Sequence, residues 1–267
     1  MNLPDTKERA LPAHQVQTLE DHLVYLKQVA LYKFAATYCV RKRVLDLGCG
    51  EGYGSDALAR AARFVVAADY SRDAVAHARQ KYARPNLAFV VCDAQHLPFR
   101  AESFETIISF EVIEHIPNVR AYLEEIRRVS VAASAVILST PNRALRLLPF
   151  QKPWNRFHLR EYDARGLARV LGALFRRAQM RGISAIPAIM EIEKRRVKQN
   201  PLVAYPRMFA QMLLPRAAYD RMKRIKSQNA STPRADNFRA LDFSADDFQI
   251  SEAGLRECIT LVGICER

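Results

Sequence analysis

Residues 43–54 read Arg-Val-Leu-Asp-Leu-Gly-Cys-Gly-Glu-Gly-Tyr-Gly. An apolar run (Val44, Leu45, Leu47) enters a segment with glycine at 48, 50, 52 and 54, and a helical pattern begins near Ser55. A strand, a glycine loop and a helix in succession let the backbone approach a ligand closely, because glycine has no Cβ to collide with it. The junction is suited to a nucleotide-like cofactor.

A dinucleotide fingerprint, G-x-G-x-x-G directly after the strand, needs glycine at position 53, where Tyr53 stands. Asp46, at the strand's end, would repel a pyrophosphate but favour the cationic amino-acid end of another cofactor. Asp69 closes a second strand, 64–68, and can accept hydrogen bonds from both hydroxyls of a ribose. Asp93 follows a third strand, 87–91, and can take the exocyclic amine of an adenine. A single acid at a strand end is commonly just a helix cap. Three in order behind this loop describe an amino acid, a ribose and an adenine without phosphate, which is S-adenosylmethionine.

With those residues in view, positions 20–186 resemble the class I S-adenosylmethionine-dependent methyltransferases. Within that class the similarity is to a small-molecule, type 11-like branch that includes ubiquinone-pathway and bacterial glycan-cluster O-methyltransferases. The matching segments are 44–55, Cys92-Asp-Ala-Gln-His-Leu-Pro-Phe99, Ser103-Phe-Glu-Thr-Ile-Ile-Ser-Phe-Glu-Val-Ile-Glu-His115 and Leu138-Ser-Thr-Pro-Asn142. The resemblance implies that Asp46, Gly48, Cys49, Gly50 and Gly52 surround the methionine end. It implies Asp69 and Tyr70 at the ribose, Asp93 and Ala94 near the adenine, and Phe110 with Glu111 beside the sulfonium. The chain departs from the pattern at Ala132-Ala-Ser134, where Pro-Gly-Gly is usual, and at Leu31, where relatives often carry arginine.

Alternation of strands (43–47, 64–68, 87–91, 104–110, 134–140) with helical stretches (55–62, 72–83, 119–129, 164–173) predicts a doubly wound, mostly parallel α/β sheet. Seven strands are expected, with a strand near 175–184 and the last within 255–265. The spacing of Leu19, Leu23, Leu26, Ala30 and Phe34 predicts a covering helix over 16–38. The expected organisation is an N-terminal helical cap (1–42), a cofactor core (43–186), a basic helical insertion before the last strand (187–240) and a closing strand (241–267).

The formal net charge of +13 is unevenly spread. Residues 1–140 are nearly balanced, whereas 141–267 hold 24 Lys/Arg against 12 Asp/Glu. Such a bias concentrates anionic partners, and it also arises as plain solvated surface. The insertion mixes Met208, Met212 and Met222 with basic residues, which fits a lid, a membrane-interface contact or an oligomer contact. Five scattered cysteines and dispersed histidines suggest reduced thiols and no metal motif. No signal-peptide core or spanning segment is visible, so a cytoplasmic protein is expected, with contact at the inner membrane open through the insertion.

Methyl transfer from a sulfonium is an in-line displacement, helped by a base when the acceptor is a hydroxyl. His115, closing Glu111-x-x-Glu114-His115, and His158, in Asn155-Arg-Phe-His-Leu-Arg160, are the candidate bases; a purely structural role is the alternative for each. O-methylation of a small molecule, sugar or lipid-linked glycan is the expected reaction, the acceptor being anionic in one version. A nucleic-acid methyltransferase, an S-adenosylmethionine-binding protein without turnover and an NAD oxidoreductase are the competing readings. RNA-binding modules and base-flipping motifs are not visible.

Overall fold

The computed structural model describes residues 18–197 and 243–267. Helix α1 (Leu19–Ala36) starts where Thr18 accepts from the Asp21 amide, 3.1 Å. There follow β1 (Arg43–Leu47), α2 (Tyr53–Ala59), β2 (Phe64–Asp69), α3 (Arg72–Lys81), β3 (Leu87–Val91), β4 (Phe104–Phe110), α4 (Val119–Val129) and β5 (Ser130–Pro141). Then come α5 (Arg143–Arg146), α6 (Ala164–Gly172), β6 (Arg177–Ala185), α7 (Pro187–Val197), β7 (Phe248–Ser251) and β8 (Thr260–Glu266). Ser71, Asn118 and Asp163 cap α3, α4 and α6 through their side-chain oxygens.

One sheet holds all the described strands in the order β3-β2-β1-β4-β5-β8-β6-β7. The first five pair in parallel, and β8 runs antiparallel between β5 and β6. The doubly wound architecture is as expected, but the described strands number eight. The extra one, β7, is four residues at the edge, too short for its alternation to stand out in the sequence. The insertion therefore precedes two strands. Its α7 is described; 198–242, including most of the proposed lid or membrane segment, lies outside the described residues.

Both faces of the sheet are covered, so its central strands are apolar on both sides. Ile108 and Ile137 pack on one face with α1 and α2, while Ile107 and Leu138 pack on the other with α4 and α6. The period of two in strands accounts for that division. On the second face Tyr122 donates to Ser109 Oγ, which donates to the Leu47 carbonyl, each at 2.8 Å, tying α4 through β4 to β1. The unusual turn before β5 is part of the strand, with Ala133 at φ +59° and an irregular register between Phe104 and Thr106. All five cysteines are free thiols; burial raises Cys92 and Cys258 to about 11. Among the described residues no helix is long and apolar enough to cross a membrane.

The chain winds one way from β1 to β2 and β3, and the other way through β4 and β5. Such a switch point opens a crevice at the carboxyl ends of β1 and β4, where open α/β sheets take their ligands.

Candidate functional site

A cavity of about 520 Å³ occupies that crevice, within the usual range of about 300–1,000 Å³ for ligand pockets. The glycine loop forms its floor. Gly48 has φ +84°, and a Cβ there would lie 2.2 Å from Val112 Cγ2, so only glycine lets the loop pass under the β4 exit. The Gly48 and Cys49 amides donate to the Ala68 carbonyl at 2.7 and 3.0 Å. Asp69 holds the loop as well: one oxygen accepts from the Gly50 amide and the other from the Ser71 amide, both at 2.8 Å.

Asp93 accepts from the Gln95 amide at 2.9 Å. Burial pushes its carboxyl up, but the hydrogen bonds from Gln95 and His96 outweigh that and hold it below the usual carboxylate range. Glu111 leaves β4 with φ +56°, a left-handed conformation that costs a non-glycine residue about 1 kcal/mol or more. Its amide donates to the Ser139 carbonyl, 3.0 Å. Its carboxylate accepts from Thr260 Oγ1 (3.2 Å) and pairs with Lys27 Nζ (3.4 Å), so α1 and β8 fix it from two sides.

Every residue expected at the cofactor lines this cavity except Asp46 and Gly52. Asp46 is fully buried behind the wall. It accepts from Ser55 Oγ at 2.5 Å and from Tyr32 Oη at 3.2 Å. Tyr32 is the residue that faces the cavity, so the placement of Asp46 against the ligand is corrected to the layer behind it. Gly52 likewise turns away, against Phe89 and Ala78. Sequence reasoning missed Gln28, Tyr32 and Glu51 on the wall. Gln28 and Tyr32 stand four apart on α1, a polar pair on an otherwise apolar face, which was the available signal.

Burial pushes the Asp46 carboxyl up to about 7, against the hydrogen bonds from Ser55 and Tyr32 and with help from the Asp69 charge. A carboxyl raised on folding stabilises fully below its unfolded value, near 4, and loses that contribution as pH rises toward 7. Urea denaturation of the native protein and Asp46→Asn at several pH values checks this. The native advantage should shrink between about pH 4 and 7, by roughly 1.4 kcal/mol per unit at most, while a constant difference would contradict it.

The two candidate bases, 43 residues apart in sequence, meet: their rings are edge to face with centroids 4.9 Å apart. His115 lines the cavity; His158 lies behind it. The His115 Nδ1 lies 3.1 Å from the Phe157 carbonyl, and His158 Nδ1 lies 2.8 Å from Glu161 Oε1. An N–H at Nδ1 satisfies each acceptor and puts the basic lone pair on Nε2. Glu161 also pairs with Arg146, 3.3 Å. Glu114 is buried, receives Thr140 Oγ1 at 2.9 Å, and is pushed well above its ordinary value by burial and then by the Glu111 charge. Donor atoms of Glu114, His115 and His158 lie within 4.8 Å of one another, a grouping that the spacing of the histidines concealed. Arg156 stacks on Phe157 and Arg160 donates to the Pro117 carbonyl; neither lines the cavity.

The described wall carries Glu51, Asp69, Asp93 and Glu111 and no Lys or Arg. That charge suits a cationic, phosphate-free ligand and disfavours a pyrophosphate. Sheet, glycine loop and acid-tipped edge together define the class I S-adenosylmethionine-binding fold. A methyltransferase domain family matches residues 45–137. A probable S-adenosylmethionine-dependent methyltransferase of Mycobacterium tuberculosis strain CDC 1551 is 32% identical over 191 residues, 71% of this chain and 68% of that protein. A ubiquinone biosynthesis O-methyltransferase of Agrobacterium fabrum is 34% identical over 108 residues, 39% of this chain and 42% of that protein. The solved YcgJ protein of Bacillus subtilis shares the fold with a TM-score of 0.53 at 19% identity, covering 90% of this chain and 99% of that one. The chain belongs to the S-adenosylmethionine-dependent methyltransferases, and S-adenosylmethionine is its cofactor.

Proposed function

We propose that the enzyme methylates a hydroxyl oxygen of a small molecule, sugar or lipid-linked glycan, with His115 as the general base. The observation that carries this reading is the cavity-wall position of His115, four residues beyond Glu111, with its Nδ1 committed to the Phe157 carbonyl. In this reading Asp69 holds the ribose, Asp93 and Ala94 flank the adenine, and Phe110 and Glu111 border the sulfonium. Gly48 to Gly50 back the methionine end, with Asp46 acting through Tyr32.

When bound, S-adenosylmethionine supplies an electrophilic methyl group. His115 takes the acceptor's proton at Nε2 as the oxygen–methyl bond forms, and the imidazolium gains from the Glu161 charge behind His158. Such a cofactor would also take up the carbon–sulfur electron pair as a neutral thioether, so the transfer needs no acid from this chain. Holding oxygen, methyl and sulfur collinear supplies most of the acceleration. A ubiquinone biosynthesis O-methyltransferase among the relatives supports an oxygen acceptor. The basic C-terminal half, including exposed Lys194 and Arg195 on α7, supports including anionic acceptors and membrane-bound glycans in a screen.

A second reading has one observation behind it: Glu114 Oε1 is buried without a hydrogen-bond partner beside two imidazoles. A divalent cation held by Glu114, His115 and His158 would lower the pKa of an acceptor hydroxyl. Labelled-methyl transfer to a panel of hydroxylated sugars, lipid-linked glycans and quinone precursors tests the proposal, with product linkage determined. Ether products formed at full rate after chelation favour the histidine base. Loss of turnover on chelation favours the cation, and products methylated only at nitrogen or carbon overturn oxygen transfer.

A further inference from the structure

The segment after β5 carries a feature that methyl transfer does not use. The Gln151 amide donates to the Leu148 carbonyl, 3.1 Å, closing a tight turn with Pro149 second and Phe150 third. Phe150 has φ +62°, a conformation that turns of this kind reserve for glycine or asparagine. It is also 89% exposed. The turn is braced: Gln151 Oε1 accepts from the Leu148 amide at 3.0 Å, and Arg143 reaches the Gln151 carbonyl at 3.4 Å. An aromatic ring is thus held at a tip against both its backbone preference and the cost of water contact.

The surroundings repeat the theme. Trp154 is 41% exposed with the Arg146 guanidinium 4.4 Å from its ring centre, and Leu159 is 53% exposed. Residues 143–160 contain five Lys or Arg and no Asp or Glu. The base of the segment is bonded to the candidate site's wall: Phe157 to His115, the Leu159 amide to the Glu114 carbonyl (2.9 Å), and Arg160 to the Pro117 carbonyl (3.0 Å).

We propose that residues 147–160 dock the enzyme on an anionic lipid bilayer, with Phe150 entering the acyl boundary and the surrounding cations at the headgroups. Aromatic side chains and cations together are what a membrane interface selects, the rings for their amphipathic depth and the cations for the negative leaflet. Arg146 is paired with Glu161, 3.3 Å, but two copies of this chain meeting through the patch would still set Arg143, Lys152, Arg156 and Arg160 against the same four cations, which disfavours a symmetric contact. The proposal is independent of the acceptor's identity. It places the docking element next to His115, so that a docked enzyme brings its candidate site to the membrane surface.

Trp154 is the only tryptophan of the chain, so its emission reports this segment. The full-length protein is mixed with vesicles of phosphatidylcholine, with or without phosphatidylglycerol, and read by sedimentation and fluorescence. Binding to the anionic vesicles, weakened by salt, with a blue-shifted Trp154 quenched by brominated chains, is expected. Phe150→Gly should lower the partition coefficient about tenfold or more, while its thermal midpoint stays equal or rises because glycine fits the left-handed turn. Equal partitioning of the native and Phe150→Gly proteins overturns the proposal. So does pelleting without a Trp154 shift, which would put the bilayer on another surface. An emission shift that follows protein concentration without vesicles would identify a second copy as the occupant, and no binding at low salt would end the idea outright.

Discussion

His115→Ala slows methyl transfer to a hydroxyl acceptor about 10²- to 10⁴-fold, the usual contribution of a positioned base. The loss falls in kcat, while affinity for S-adenosylhomocysteine changes little, because the cofactor in the proposed mode is carried by Asp69, Asp93 and the glycine loop. His158→Ala has a smaller effect, since His158 packs against the His115 ring from behind and connects it to Glu161. Steady-state kinetics of both variants, with calorimetry on the demethylated cofactor, separate the cases. A fall in cofactor affinity parallel to the fall in rate would mean that His115 shapes the cavity and moves no proton. An unchanged rate in both variants would leave positioning as the whole of catalysis.

Gly54→Ala is expected to be the most damaging single methyl group. The added Cβ would lie 2.0 Å from Tyr32 Cζ and 2.2 Å from Cε2. The ring cannot step aside: its hydroxyl is bonded to buried Asp46, and it meets Phe110 edge-on at 5.1 Å and Tyr53 at 6.0 Å. Alanine in a helix is ordinarily better than glycine by about 1 kcal/mol. The overlap outweighs that gain, with an expected loss of about 3 kcal/mol, at the upper end for overpacked cores. Because Tyr32 forms part of the cavity wall, affinity for the demethylated cofactor drops as well. Urea denaturation and calorimetry read the two effects. Adding Tyr32→Leu to Gly54→Ala should return part of the stability, since the shorter side chain vacates the overlapped space. A native-like midpoint in Gly54→Ala would mean that α1 does not rest on α2 as described.

The central sheet and about half of the cavity's wall were legible from the glycine loop and the acids that close successive strands. Those features are local, and each strand end carries its own marker. Asp46 was misplaced for a reason the sequence did contain. Val44 packs on the face of the sheet that α1 and α2 cover, and Leu45 and Leu47 pack on the other. Strand alternation therefore puts Asp46 with Val44, toward Tyr32 and Ser55 and away from the crevice. Tyr32 is not singled out by the apolar spacing of α1, which marks the packed stripe and not the polar atom that reaches Asp46. The meeting of His115 with His158 depends on the path of the chain from β5 through 143–160, and no short-range pattern encodes that path. The turn at Phe150 was hidden for a similar reason: Pro149-Phe150 predicts no left-handed residue, and only the folded backbone reveals one.

The cavity at the carboxyl ends of β1 and β4 is the point on which methyl transfer rests, and a crystal structure with S-adenosylhomocysteine bound tests it most directly. Ribose hydroxyls are expected on Asp69, the adenine beside Asp93, and the sulfur near Phe110 and Glu111 with the open side of the cavity leading to His115. A sulfur turned away from His115, or an adenosyl group seated anywhere other than this acid-lined crevice, would contradict that placement.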